Sequence, residues 1–282
     1  MSAVRFRFVV LFFFCSLFTG VARADVMVLV HGWAADVDTW VHSGVASFLV
    51  RNGWHDAGVV TTTPGGVRHF PGYPSADSQN HFYRTQLPST APLLLQASHL
   101  TAELVFIQKR HPKDDMIVVG HSAGGVIARL VVIRPEYVRI NSLVTIASPH
   151  MGTPLAFEGL NVVESKPFFC PGPGTDFLKA VFGGRQYQYL KDSRGAMLDL
   201  TPAGGGNLID WLNQQPHPDI QYHSIIRAGG DGVVPTVSQD LNQVPALRGR
   251  AKVYPARSIH GLNPKDGELL LDILAANKKE SE

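Results

Sequence analysis

A short glycine-flanked serine near the middle of the chain carries the clearest chemical signal. Residues 120–124 read Gly-His-Ser-Ala-Gly, which matches the G-x-S-x-G pattern. An apolar run precedes this segment, and a stretch with helical spacing follows it, so the pattern predicts a sharp turn from a strand into a helix. Side chains at positions 120 and 124 would collide with the neighbouring elements, which explains their glycines. We therefore predict Ser122 as a nucleophile, with a purely structural turn as the competing interpretation.

A serine hydroxyl is a poor nucleophile until a nearby base takes its proton. In an open α/β sheet the reactive groups gather at the carboxyl ends of the strands, and two candidates follow apolar runs directly. His260 comes after the run 251–256, and Asp231 comes after the run 221–227. We predict His260 as the base and Asp231 as the carboxylate that fixes the imidazole tautomer and stabilises the imidazolium.

Other residues compete for these roles. His150 lies near a strand end and is the alternative base, whereas His121 is expected to point away from the serine. A turn or a calcium ion could instead explain Asp231. Asp199 precedes a turn and is expected to cap it. His31 is expected to serve in packing or hydrogen bonding next to the first strand.

An oxyanion formed on the substrate would need hydrogen-bond donors. The residue after the nucleophile supplies one backbone N–H in this arrangement, which here is Ala123. The second is expected from the loop after the first apolar strand, at Trp33. Both contributions come from the main chain, so the Trp33 side chain could equally line an acyl pocket.

Strands alternating with helices must position these residues, and this alternation predicts a doubly wound, mostly parallel sheet. The predicted strands are 26–30, 57–63, one beginning at Met116, 142–147, 221–227 and 251–256. The predicted helices are 39–52, 93–110, one after the nucleophile, and 265–276. The segment 64–92, rich in Gly, Pro, Asn and Ser, is interpreted as a surface loop. Residues 155–218 lose the rhythm and are predicted to form a cap or lid insertion.

The first residues predict export. Arg5 and Arg7 precede an apolar run over 8–18, and Ala22-Arg23-Ala24 has the form of a cleavage site. We therefore predict a signal peptide over 1–24, cleaved near Ala24, and a secreted or periplasmic domain over 25–282. The full chain has a formal charge of +2, and the predicted mature chain would be slightly acidic. No basic stripe suggests nucleic acid, and Cys170 would be left alone as an inert thiol without a disulfide partner.

Four ordered segments resemble the α/β-hydrolase superfamily, and within it the bacterial lipase and esterase branch and the inositol-deacylase-like hydrolases. Residues 28–33 resemble the oxyanion strand, 120–125 the nucleophile turn, 148–156 a segment after the next strand, and 231–235 the acid segment. The resemblance implies an α/β-hydrolase fold with a Ser-His-Asp triad, and it reaches the predicted cap only through a loose likeness over 196–202.

The expected function is a secreted serine hydrolase that cleaves carboxylic esters of lipids or other acyl groups. Aromatic side chains of the predicted cap could receive an acyl chain or could form the cap's own core; they are Phe157, Phe168, Phe169, Phe177 and Phe182. An acyltransferase or thioesterase with the same triad is the second hypothesis, and a non-catalytic binding member of the fold is the third. We expect no cofactor and no zinc site, a small-molecule or lipid ester as partner, and transient contact with a lipid interface; the sequence leaves the oligomeric state open.

Overall fold

The computed structural model describes residues 24–72, 78–164 and 186–281. The strands are β1 (Asp25–Val30), β2 (His55–Thr63), β3 (Gly66–Phe70), β4 (His81–Gln86), β5 (Asp115–His121), β6 (Ser142–Ile146), β7 (Gln221–Arg227) and β8 (Ala251–Ala256). The helices are α1 (Thr39–His42), α2 (Val45–Arg51), α3 (Leu93–Arg110), α4 (Ala123–Val132), α5 (Pro154–Glu164), α6 (Gln186–Asp192), α7 (Arg194–Asp199), α8 (Leu208–Asn213), α9 (Thr236–Gln239) and α10 (Pro264–Ser281).

The described strands form one eight-stranded sheet in the order β3-β2-β4-β1-β5-β6-β7-β8. Every neighbouring pair is parallel except β2 and β3, which are antiparallel at the sheet edge. This mostly parallel sheet with flanking helices confirms the predicted fold class. Because parallel strands end at the same edge, residues that follow β5, β7 and β8 are brought close together.

The central strand β1 is buried on both faces, which explains the continuous apolar run over 26–30. Val26, Val28 and Val30 contribute to the core beneath α3, α4 and α8. Met27 and Leu29 face the opposite way and pack in the core with residues of α1, α2 and α10. The alternation along one strand therefore joins the two helical layers through the sheet.

The interpretation of 64–92 as a surface loop is wrong for two stretches of that segment. β3 pairs with β2 at the edge, and β4 lies inside the sheet between β2 and β1. The β4 sequence, His-Phe-Tyr-Arg-Thr-Gln, is short and mostly polar, so it lacks the apolar run that led to the prediction of β1 and β5. Its polar residues have specific partners: Arg84 forms an ion pair with Asp56 of β2 at 3.1 Å.

The helix predicted over 39–52 is divided into α1 and α2. The break falls at Ser43 and Gly44, and Gly44 has φ of 80°, a left-handed conformation that ends a helix. A Cβ at this glycine would lie 3.0 Å from Cγ of Pro264, so the position also lets α10 approach closely. The helical spacing of apolar residues continues across the break, so the sequence pattern predicts one helix instead of two.

The segment between β6 and β7 is helical over 154–164, 186–192, 194–199 and 208–213. Asp199 at the end of α7 accepts a hydrogen bond from the N–H of Leu93 at 2.7 Å, so it caps the start of α3 rather than its own turn. A Cβ at Gly195 would lie 2.7 Å from Cγ of Pro92, which shows how closely α7 packs there. The role of this insertion as a cap stays a prediction.

Some sequence-based predictions fall outside the described residues. They concern residues 1–23 of the predicted signal peptide, Cys170, and the aromatic residues 168, 169, 177 and 182 of the predicted cap.

Glu103 is a buried acid in α3. Its Oε1 accepts a hydrogen bond from the N–H of Thr62 at 2.8 Å, and its side chain is 0% exposed. Burial raises the pKa of Glu103 to about 8, although the Thr62 hydrogen bonds act in the opposite direction. A carboxyl whose pKa is higher in the folded than in the unfolded chain holds its proton in the fold. Its contribution to stability is therefore full below about pH 4.5 and is lost as the pH rises towards 8.

We predict that Glu103→Gln raises the free energy of unfolding above that of the wild type at pH 9, by the order of a few kcal/mol. At pH 5 the gain should be much smaller, because Glu103 is then protonated. Chemical denaturation at pH 5, 7 and 9 measures this difference. The exposed Glu136 is the control, since Glu136→Gln should change stability little at any pH. A Glu103→Gln effect that does not depend on pH would contradict the prediction.

Candidate active site

Ser122 lies at the turn between β5 and α4. Its φ of 52° and ψ of −128° are strained for a residue with a side chain. The N–H of Ser122 donates to the carbonyl of Ile146 at 2.9 Å, which ties the turn to the end of β6. The side chain is thus held at the carboxyl edge of the sheet, as the sequence pattern predicted.

The glycines around Ser122 are required by close backbone contacts. A Cβ at Gly120 would overlap the backbone nitrogen of Gly125, and one at Gly124 would lie 2.5 Å from the carbonyl oxygens of Val30 and His31. A Cβ at Gly125 would in turn overlap the side chain of the serine that follows β6 at position 148. The turn therefore packs tightly against β1 and against the segment after β6, and this packing sustains its strained conformation.

The structure brings Ser122, His260 and Asp231 together from three different loops. Nε2 of His260 lies 3.0 Å from Oγ of Ser122, and Nδ1 of His260 lies 2.9 Å from Oδ2 of Asp231. An imidazole that donates its Nδ1–H to the carboxylate has Nε2 free to accept the serine proton. The arrangement can therefore deprotonate the hydroxyl and stabilise the imidazolium that forms.

The Asp231 carboxylate is fully buried and surrounded by donors. Its Oδ1 accepts the N–H groups of Val233 and Val234 at 2.8 and 2.5 Å, and its Oδ2 accepts from Gln239 at 2.7 Å. Burial alone would raise the pKa of Asp231, but the hydrogen bonds from His260 and the backbone outweigh it and lower the pKa below its usual range. The residue is accordingly an anion at neutral pH.

The backbone around His260 is held at three points. Nε2 of His121 donates to the carbonyl of His260 at 3.0 Å, and the Arg227 guanidinium donates to the carbonyl of Gly261 at 3.2 Å. Asp266 accepts the N–H of Asn263 at 2.9 Å. Burial, together with the neighbouring His260, lowers the pKa of His121 to about 3, so this imidazole is neutral and acts as a hydrogen-bond donor. His121 thus positions the loop of His260.

The turn after β1 lies directly against the nucleophile. A Cβ at Gly32 would lie 2.9 Å from Cβ of Ser122. Nδ1 of His31 donates to the carbonyl of Gly32 at 2.9 Å, and its Nε2 accepts the N–H of Leu87 at 3.0 Å. The Trp33 side chain packs against apolar residues of α5, α6 and α7. This turn and Ala123, the first residue of α4, are the two backbone segments next to Ser122 at which oxyanion donors were predicted.

His150, the alternative base, lies in a buried polar network. Its Nδ1 lies 3.4 Å from the guanidinium of Arg129, and its Nε2 lies 3.1 Å from Oγ1 of Thr145. Arg129 also donates to Asn213 at 2.9 Å and contacts His217. Burial lowers the pKa of Arg129 to about 9, and burial with the nearby Arg129 lowers the pKa of His150 well below its usual range. Both nitrogens of His150 therefore serve this network, which links α4 to the end of the helical insertion.

Three residues that support the site were not predicted from the sequence: Arg227, Gln239 and Asp266. Arg227 stands at the end of the apolar strand β7 and is 0% exposed, which is unusual for an arginine. The only sequence signal was its position, since a charged residue closing a buried strand needs a buried partner. Gln239 and Asp266 had no such signal, because their roles depend on contacts across the loops.

Two cavities adjoin the Asp231 loop and the insertion. One, of about 450 Å³, is lined by the loop 230–236 and by residues 153–155 and Glu158. The other, of about 660 Å³, is mostly apolar and is lined by residues that include Phe157, Leu160 and Leu198. Both are lined by Pro154 and Glu158 near the start of α5, so they lie side by side along this helix.

The described ranges 24–72, 78–164 and 186–281 contain no group of three or more His, Cys, Asp or Glu side chains arranged to hold a metal ion. None of the helices in these ranges combines the length and the apolar character that crossing a bilayer requires.

The sheet, its flanking helices and the serine turn define the class: the chain has the α/β-hydrolase fold. Residues 82–164 match the family described as a PGAP1-like alpha/beta domain. A GPI inositol-deacylase of Debaryomyces hansenii is 42% identical over 74 residues, which are 24% of this chain and 7% of that protein. The alignments with six curated relatives cover only 5 to 8% of the length of those proteins.

Solved structures agree on the fold. The mature form of a Bacillus licheniformis lipase superposes with a TM-score of 0.54 at 16% identity, covering 89% of this chain and 91% of that one. A lipase-esterase related protein from Clostridium acetobutylicum gives a TM-score of 0.54 at 9% identity, covering 89% and 93%. At these identities the likeness concerns the fold alone.

We predict that Gly32→Ala slows the reaction of Ser122 with an organophosphonate by about 100-fold, because the new methyl group would displace the nucleophile. The rate of covalent labelling, followed by mass spectrometry, measures the effect. Gly65→Ala is the control, since its Cβ would meet only Oγ1 of Thr63, at 3.8 Å. Equal labelling rates in the two variants would show that the close contact has no effect on the serine.

Proposed function

We propose that this chain is a serine hydrolase that cleaves carboxylic esters through an acyl-enzyme intermediate. The observation that carries the proposal is the pair of contacts made by His260, 3.0 Å to Oγ of Ser122 and 2.9 Å to Oδ2 of Asp231. Ser122 is the proposed nucleophile, His260 the general base and acid, and Asp231 the carboxylate that orients the imidazole.

In the first half of the proposed reaction, His260 takes the Ser122 proton while Oγ attacks the ester carbonyl carbon. The tetrahedral intermediate collapses, the protonated imidazole gives its proton to the leaving alcohol, and the acyl group stays on Oγ. In the second half, His260 deprotonates a water molecule that attacks the acyl-enzyme. The carboxylic acid is released, and Ser122 regains its proton.

The oxyanion of each tetrahedral intermediate is proposed to accept the backbone N–H groups of Ala123 and Trp33. Ala123 follows the nucleophile at the start of α4, and Trp33 follows Gly32, which lies in close contact with Ser122. Such donors each contribute about 3–4 kcal/mol in the transition state. Their alignment depends on the backbone, so the side chains at these positions can vary.

The proposed substrates are lipid or other acyl esters. The names of the curated relatives, GPI inositol-deacylase, favour an acyl group attached to a hydroxyl of a polyol. The apolar cavity lined by Phe157, Leu160 and Leu198 could hold an acyl chain. Exposed apolar side chains support transient contact with a lipid interface: Ile259, beside His260, is 75% exposed and Phe157 is 56% exposed.

The location of the enzyme and the acceptor of the acyl group are also part of the proposal. The signal peptide predicted over 1–24 would make the mature enzyme secreted or periplasmic. An acyltransferase or thioesterase on the same triad differs in which acceptor reaches the acyl-enzyme. A panel of esters, from acetate to long-chain triglycerides and acylated inositol, tests which acyl groups are cleaved. Assays with water alone and with added alcohols separate hydrolysis from acyl transfer. Assays with and without a chelator test whether calcium is required.

We predict that Ser122→Ala lowers kcat for p-nitrophenyl esters by the order of 10⁶, because the acyl-enzyme can no longer form. Initial rates of p-nitrophenol release measure the change. Ser47→Ala, at an exposed position on α2, is the matched control and should retain full activity. An unchanged rate in Ser122→Ala would exclude the serine mechanism.

We predict that kcat/KM rises between pH 5 and 9, because a histidine base must lose its own proton before it can act. Only the neutral imidazole can accept the serine proton. Neighbouring groups should not mask this step: the pKa of Asp231 is lowered and that of His121 is about 3, so neither titrates there. A profile measured from pH 5 to 9 with a soluble ester tests this, and a flat profile would argue against a histidine base.

A further inference from the structure

Gln239 is a buried amide at the end of α9, the short helix that follows the Asp231 loop. The residue is 1% exposed. Neither the G-x-S-x-G pattern nor the order of the three predicted catalytic residues points to it. Its position is set by the fold, because α9 follows the Asp231 loop directly and brings residue 239 into contact with that loop.

Every hydrogen-bonding group of the Gln239 amide is used. Its oxygen accepts the N–H of Arg227 at 2.8 Å. Its nitrogen donates to Oδ2 of Asp231 at 2.7 Å and to the carbonyl of Val234 at 2.8 Å. A backbone N–H can only donate and a carbonyl can only accept, so these partners determine which end of the amide is oxygen.

The Gln239 amide thereby connects the end of β7 to the carboxylate. The oxygen of Asp231 that it contacts is Oδ2, the same oxygen that accepts Nδ1–H of His260 at 2.9 Å. The backbone donors of Val233 and Val234 fix only the other oxygen, Oδ1. The planar carboxylate turns as a unit about its Cβ–Cγ bond, so without the Gln239 donor only the hydrogen bonds to Oδ1 and the one from His260 would resist a rotation that moves Oδ2 out of line with the imidazole.

We propose that Gln239 is a positioning residue of this site: it holds Oδ2 of Asp231 in line with Nδ1 of His260 and so acts on Ser122 through both residues. The inference rests on the proposed ester-hydrolase function. Gln239 also satisfies the buried N–H of Arg227, which is a structural contribution. A test must therefore separate the effect on the fold from the effect on the reaction.

Gln239→Ala should lower kcat for a p-nitrophenyl ester by about 10- to 100-fold, with KM changed less than about threefold. The rate of phosphonate labelling of Ser122 should fall by the same factor. Titration of labelled sites corrects kcat for the folded fraction. Ser238→Ala is the matched control: Ser238 is 2% exposed and donates to the carbonyl of Gly152 at 2.7 Å, without a contact to Asp231. It should lower Tm but leave kcat per labelled site unchanged.

Gln239→Glu keeps the acceptor for Arg227 and remains informative if Gln239→Ala does not fold. The new carboxyl group would face Asp231 at hydrogen-bonding distance, and two carboxyls so placed share a proton. With that proton present, the substituted side chain can still donate to Oδ2. Once it is lost, the two charges repel, so kcat/KM should fall again at high pH where the wild-type profile stays level. A purely structural role would not change the shape of the pH profile.

A double-mutant cycle identifies the route of the effect. If Gln239 acts through Asp231, then Gln239→Ala should cost less than about threefold in an Asp231→Ala background. Fully additive losses, or a Gln239→Ala enzyme with wild-type kcat and pH profile, would overturn the inference while leaving ester hydrolysis intact. Absence of both ester turnover and Ser122 labelling in the wild-type protein would instead overturn the proposed function, and the inference with it.

Discussion

The buried ion pair between Arg227 and Asp266 joins the two loops on which the candidate site depends. Its N–O distances are 2.6 and 3.0 Å, and both side chains are almost completely buried. Arg227 also donates to the carbonyl of Gly261, beside the imidazole, while its own backbone N–H and carbonyl are bound by Gln239 and Thr236 of α9. One residue thus fixes the carboxylate loop and the imidazole loop to the same point. Loss of either charge would leave its partner buried alone, which is far more costly than loss of a surface pair.

Strain in the backbone is concentrated at the edge of the sheet where these loops meet. In the described part of the chain, the residues other than glycine with positive φ are Ala34, Ser122 and Ala147, which follow β1, β5 and β6. Each such residue costs free energy that the surrounding packing must offset. Tight contacts of the glycines at positions 32, 124 and 125 supply that packing. The sheet therefore acts as a rigid base on which three unfavourable turns are held next to one another.

The parts of this architecture that could be predicted are those with local signals. The serine turn was predicted because its glycines and its flanking apolar runs are contiguous, and β1 because residues 26–30 are all apolar. The strand β4 was missed because its sequence is mostly polar and its polar residues are held in the sheet by partners elsewhere in the chain, such as Asp56 for Arg84. Gln239 was missed for a similar reason: an amide has no distinctive spacing, and its meaning arises only when β7 and α9 meet. The elements that could not be predicted from the sequence are therefore those that depend on long-range contacts, and not those with weak secondary-structure propensities.

The position of β4 between β1 and β2 has a consequence for how the chain folds. β1 and β2 follow one another in the sequence, yet they are not paired, because β4 occupies the place between them and β5 lies on the other side of β1. During synthesis, β1 would leave the ribosome as an apolar segment before either of its neighbouring strands. It could pair only after β4 (residues 81–86) and β5 (residues 115–121) had been synthesised. Pairing over such separations is entropically costly and slow. The nascent protein would thus expose this apolar strand for an extended period, during which chaperones could bind it.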